Sequence, residues 1–191
     1  ADDGEAWAKL CQSAQRVDPL ETISGELHPL CSALRFIEQE GPSLLRTRRL
    51  GWRRRPWWLW GIRNEIRRDP HGTVLVLGTW NYPLLLVGVQ VAQALAAGND
   101  VWLKPAAGCE KVSERLVRSF HDAGVPQESL RLLDSSTAAA TEAIDSGVNL
   151  IVLTGSAATG RAVLRRAAET LTPTIMELSG CDAVLVSPGA D

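Results

Sequence analysis

From Thr73 onward the chain alternates short apolar runs with longer stretches of helical periodicity, and this rhythm restricts the fold more than any other feature. Short runs rich in Val, Leu and Ile suit strands covered on both faces, as strands are in a parallel sheet. The runs are 73–77, 101–103, 130–133, 149–153 and 174–178, with a further one at 183–186. The periodicity predicts helices between them at about 84–97, 110–123, 137–146 and 157–170. Gly98-Asn99, Gly124-Val125-Pro126 and Gly147 would close three of these helices, because they accept a left-handed terminus or forbid continuation. The expectation is an α/β fold, an open parallel sheet with helices on both faces, over 71–191.

Residues 1–70 read differently. Apolar positions recur at helical spacing in 5–16 and 24–40, for example Leu27, Leu30, Leu34 and Ile37, so two amphipathic helices are predicted. They lack a core of their own and must dock on something larger. From Arg46 to Arg68 the chain is crowded with arginines interleaved with Trp52, Trp57, Trp58 and Trp60, and 62–67 alternates as a strand does. A basic hairpin arm is the plain reading; a nucleic-acid patch is the alternative. Asp69-Pro70-His71-Gly72 is a turn leading into the first strand.

The net charge of −2 gives no field to draw the molecule to nucleic acid or an anionic bilayer, so neither is expected as a partner. No apolar run reaches the ~18 residues of a membrane span. The nearest, at 84–97, is interrupted by Gly88, Gln90 and Gln93. Cys11, Cys31, Cys109 and Cys181 are too scattered for a metal site, and reduced thiols in a cytoplasmic protein are the default.

Chemistry-bearing residues fall where strands end. The first strand runs into Gly78-Thr79-Trp80-Asn81-Tyr82-Pro83, where the Asn81 amide could donate to an oxyanion or simply cap a turn. Lys104 ends the second strand, placed for a ribose hydroxyl or a phosphate, or for plain solvation. The run at 149–153 leads to Thr154-Gly155-Ser156 and a helix, where small residues let backbone amides approach a pyrophosphate. Glu177 ends another strand among apolar neighbours, whose desolvation would favour a general base, with plain surface exposure as the alternative. A parallel sheet would collect all four at one edge, the edge where open α/β sheets bind ligands.

In this order and spacing, the Trp-Asn-x-Pro loop, the Lys-Pro strand end, the Thr-Gly-Ser turn and the Glu-Leu-x-Gly segment resemble the aldehyde dehydrogenase superfamily. The likeness is sharp from about Gly72 to Asp191 and looser before it. It implies a Rossmann-like cofactor domain preceded by helices and an arm that joins a neighbouring subunit, hence a homo-oligomer through about 46–68. It implies NAD or NADP as cofactor and a small aldehyde as substrate. Asn81 would donate to the oxyanion and Glu177 would activate water. Thr79 and Trp80 would line the cofactor groove, Lys104 would meet the adenosine ribose, Gly155 and Ser156 the pyrophosphate, and Leu178 the nicotinamide.

Three positions depart from the family pattern. Ala107 stands where NAD-preferring members carry Glu, removing a carboxylate that rejects a 2′-phosphate. Ser179 replaces the first Gly of the Glu motif, and Cys181 stands where lysine is usual. The family's nucleophilic cysteine lies a few dozen residues beyond the Glu, and none of the four cysteines is there, so the chain as given is expected not to turn over aldehydes. An acyl-CoA or acyl-phosphate reductase of the same superfamily and a non-catalytic nucleotide-binding or assembly protein are the competing expectations.

Overall fold

The computed structural model describes residues 2–12, 18–51, 56–180 and 183–189. Helix α1 (Asp2–Cys11) is followed by α2 (Pro19–Thr22), a single π turn (Ile23–Leu27) and α3 (His28–Leu45). Asp18 starts α2 by accepting a 2.9 Å bond from the Leu20 amide, with Pro19 at the first helical position. Two residue pairs, β1 (Arg48–Arg49) and β2 (Glu65–Ile66), form a short antiparallel ribbon, with a 3₁₀ turn (Trp57–Leu59) between them. The expected hairpin arm is present, but its paired part is shorter than the alternation of 62–67 implied. Trp52 lies outside the described residues.

The strands β3 (Thr73–Leu77), β4 (Asp100–Lys104), β5 (Leu130–Leu132), β6 (Leu150–Gly155) and β7 (Thr174–Leu178) form one parallel sheet in the order β5-β4-β3-β6-β7. Helices α4 (Leu85–Ala96), α5 (Glu110–Asp122), α6 (Thr137–Asp145) and α7 (Ala157–Thr170) make the crossovers. Gly98, Gly124 and Gly147, at φ of 83°, 99° and 88°, follow α4, α5 and α6 as expected, whereas α7 ends on a left-handed Leu171.

The period-two alternation of the strands divides the interior. Val74, Val76, Val101, Leu103, Leu130 and Leu150 point to one face, where Val87 and Val91 of α4 and Val112 and Leu116 of α5 cover them. Leu75, Leu77, Ile151 and Leu153 point to the other, under Ala143 and Ile144 of α6 and Val163 and Ala167 of α7. The N-terminal helices dock on the first face: Trp7, Cys11 and Leu30 belong to the same buried cluster as the sheet. Leu30 sits so near Gly88 of α4 that a Cβ there would lie 2.8 Å from its methyls, so glycine permits the close approach of α3 and α4.

The run at 183–186 is not a strand. Val184, Leu185 and Val186 are exposed, and β7 is the last strand of the sheet among the described residues. Apolar β-branched character alone does not make a strand; a hydrogen-bonding neighbour and a face to cover are also needed.

Candidate functional site

The strand order reverses direction between β3 and β6, since α4 leads from β3 toward β4 while the chain returns to β6 on the other side. Such a switch point opens a crevice at the carboxyl ends of the strands. Lys104, the Thr79–Asn81 loop, Gly155-Ser156 and Glu177 end β4, β3, β6 and β7, four strands adjacent in the sheet.

Two adjoining clefts occupy this edge. One, of about 370 Å³, runs between α6 and α7 and is lined by Thr79, Trp80, Lys104, Gly155 and Ser156 among others. The second, of about 670 Å³, holds Asn81, Glu177 and Leu178 and shares Thr79, Trp80, Gly155 and Ser156 with the first. Ala107 is exposed in the turn after β4 and lines neither.

Asn81 is fixed through its side-chain oxygen. That atom accepts from the buried Thr79 hydroxyl at 2.5 Å and from the Tyr82 amide at 3.0 Å. With the oxygen so engaged, the amide nitrogen is the part of this side chain that donates. Glu177 is exposed, so the apolar enclosure expected from its sequence neighbours is not supplied by the described residues. Its neighbours pack elsewhere, Met176 against the buried cluster under α6 and α7 and Leu178 toward Gly160 of α7, where an added Cβ would meet the Leu178 methyls at 2.8 and 2.9 Å.

Ser156 caps α7, accepting from the Thr159 amide at 3.1 Å, and Ser136 caps α6 in the same way through Ala139 at 3.2 Å. Both helices therefore aim their positive ends at the cleft, an arrangement that favours anions. Lys104 is half-buried, and burial pushes its pKa below the usual lysine value, opposed by the carboxylates of Asp134 and Glu110. A hydrogen bond with Ser136 is the main cause that holds Asp134 below the ordinary carboxylate range. Arg166 also lines the first cleft, but its guanidinium forks onto Asp145. Its charge is thus committed within the protein.

The residues suit a dinucleotide. Ala140, Ile144, Ala162 and Val163 make an apolar slot for a flat base, the capped α7 terminus suits a pyrophosphate, and Gly155 leaves open the space a side chain would fill.

A model described as the aldehyde dehydrogenase family matches residues 8–191. The chain belongs to the aldehyde dehydrogenase family. It is 34% identical over 171 residues to a 4,4'-diapolycopene aldehyde oxidase of Methylomonas sp, covering 90% of this chain and 32% of that protein. It is 36% identical over 133 residues to a benzaldehyde dehydrogenase (NAD+) of Pseudomonas putida, covering 69% of this chain and 27% of that one. A solved Mycobacterium tuberculosis aldehyde dehydrogenase complexed with NAD+ superposes with a TM-score of 0.79 at 27% identity, over 94% of this chain and 36% of the other. This aldehyde dehydrogenase chain thus spans about a third or less of the length of the curated relatives it matches.

The sequence reading of this aldehyde dehydrogenase chain missed several residues of the site. Thr137 and Thr141 line the first cleft one helical turn apart, an i, i+4 spacing that was a usable signal. Gln90 of α4 donates to Thr154 at 2.9 Å and lines the second cleft, with no marker in the sequence except its polarity inside an apolar helix. Cys181 lies outside the described residues. No described helix is long and apolar enough to cross a membrane.

Proposed function

We propose that this chain is the cofactor-binding part of an NAD(P)-dependent aldehyde dehydrogenase, which oxidises an aldehyde to a carboxylic acid through a cysteine thiohemiacetal and thioester. The observation that carries this reading is the shared volume at the sheet edge. Asn81 and Glu177 open onto one cleft, which continues past Gly155 and Ser156 into the groove beside Lys104.

The Asn81 amide nitrogen donates to the oxygen that gains charge when a thiolate adds to the aldehyde, and preorganised donors of this kind lower the barrier because they need no reorientation. Glu177 takes a proton from the water that hydrolyses the thioester. Thr79 and Trp80 would line the groove, Lys104 would hold the adenosine ribose, Gly155 and Ser156 with the α7 terminus would hold the pyrophosphate, and Leu178 would meet the nicotinamide. When bound, NAD or NADP supplies the hydride acceptor. Ala107 brings no carboxylate against a 2′-phosphate, which supports use of NADP as well as NAD.

The arm at 46–68 joins subunits of a homo-oligomer. Its exposed Trp57, Trp58 and Trp60 support this, as solvent-facing tryptophans cluster in contact surfaces. The protein is cytoplasmic and takes neither nucleic acid nor membrane as a partner, in keeping with its scattered cysteines and small net charge.

The test is Glu177→Gln in the full-length enzyme that contains this chain, followed by rapid mixing with aldehyde and cofactor. A burst of reduced cofactor of normal size, with steady turnover lowered roughly 10²-fold or more, is expected. Normal turnover would remove Glu177 as the base.

A further inference from the structure

Glu26 is completely buried, an unusual place for a carboxylate, and it belongs to the π turn between α2 and α3. Its Oε2 accepts from the Leu84 amide at 2.7 Å and the Leu85 amide at 3.0 Å. Leu84 is the N-cap of α4 and has no side chain able to cap, so a residue 58 positions earlier in the chain supplies the cap. The carboxyl oxygen thus also faces the positive end of α4.

This anchorage lies at the far end of the Asn81 loop. Asn81 stands three residues before Leu84, and between them Pro83 is buried and the Tyr82 carbonyl accepts from Leu86 at 3.2 Å. The same π turn reaches under the loop, since a Cβ on Gly25 would lie 3.8 Å from the Tyr82 ring. Thr79 thus holds Asn81 from the β3 side, and Glu26 fixes the backbone from the α4 side. Single π turns inside helices are often retained where they aim a functional residue.

We propose that Glu26 is a positioning residue for the reaction, holding the start of α4 so that the Asn81 amide meets the oxyanion. The inference rests on the proposed role of Asn81. Glu26 touches neither substrate nor cofactor and acts through the loop.

The experiment uses the full-length enzyme containing this chain and compares Glu26→Gln, Glu26→Asp, Glu26→Leu, Asn81→Ala and the Glu26→Leu/Asn81→Ala double variant. The readouts are kcat, KM for the dinucleotide and thermal unfolding. Glu26→Leu should lower kcat roughly tenfold and leave KM for the dinucleotide within about twofold, since Lys104 and the α7 terminus are not attached to this turn. Glu26→Gln should keep most of kcat, because its amide oxygen can accept both N–H groups. Glu26→Asp, which keeps the carboxyl group but withdraws it by one methylene, should lose kcat and carries the test if the leucine variant does not fold. In the Asn81→Ala background, Glu26→Leu should cost less than about twofold more. A folded Glu26→Leu or Glu26→Asp enzyme with normal kcat, or equal losses from Glu26→Leu with and without Asn81, would overturn the proposal while leaving the role of Asn81 standing. Normal kcat in Asn81→Ala would instead overturn the oxyanion assignment and this inference with it.

Discussion

The Thr79 hydroxyl donates a 2.5 Å hydrogen bond to the side-chain oxygen of Asn81. Thr79 is buried and Asn81 is exposed, so a group locked in the interior sets the orientation of one facing the cleft. Thr79→Val keeps the shape and removes the donor. In the full-length enzyme kcat should fall several-fold to about tenfold, on the order of the 1 kcal/mol a hydrogen bond contributes, with KM for the dinucleotide little changed. Thr79→Ser should restore the rate; steady-state kinetics of the two variants, with normal rates in the valine variant, would refute the link.

Lys104 predicts a pH dependence of cofactor binding. Burial disfavours its ammonium form, so the proton is lost at a lower pH than from an ordinary lysine. The charged form is the one that attracts a phosphate-bearing ligand. Affinity should therefore be highest below the depressed pKa and decline as pH rises through it, with proton uptake on binding in that window. Calorimetric titration across the alkaline range checks this. Lys104→Met should bind roughly tenfold more weakly and flatten the profile.

The alternation of apolar runs made the sheet readable. β3 and β7 have the bounds the runs suggested, and β4 gains Asp100 and Lys104 because its parallel pairing with β3 extends over five residues. The clustering of Lys104, Asn81, Ser156 and Glu177 followed from their strand-end positions. Less legible was anything that depends on partners distant in sequence. Glu26 stands four residues before Leu30, inside the apolar stripe of its helix, yet only tertiary packing reveals that it caps α4. Glu177 was expected to be enclosed by its neighbours, but on this edge strand it points away from the face where Met176 packs on the core and Leu178 on Gly160, and so stays exposed. The 183–186 run had the composition of a strand without a described strand to pair with.

Asn99, expected only to end a helix, joins three segments. Its side-chain oxygen accepts from the amides of His71 at 2.7 Å and Gly72 at 3.1 Å, and its amide donates to the Ala94 carbonyl at 2.9 Å. The residue is 6% exposed, so water cannot readily replace these bonds. Asn99→Leu should destabilise the fold by about 2–3 kcal/mol, the cost of leaving such groups unpaired. Urea unfolding measures this, and a change below about 0.5 kcal/mol would mean that the connection is dispensable.

The central claim is that the carboxyl edge of this sheet is a dinucleotide cleft, and direct calorimetric titration of NAD and NADP into the chain tests it. Saturable binding of at least one of them, with one site per chain, is the predicted result. Gly155→Val should abolish it, because a side chain there fills the shared part of the cleft, while its Cβ would meet only Leu153 at 3.6 Å and leave the fold intact. Absence of binding by a chain that unfolds cooperatively, or undiminished binding by Gly155→Val, would contradict the account.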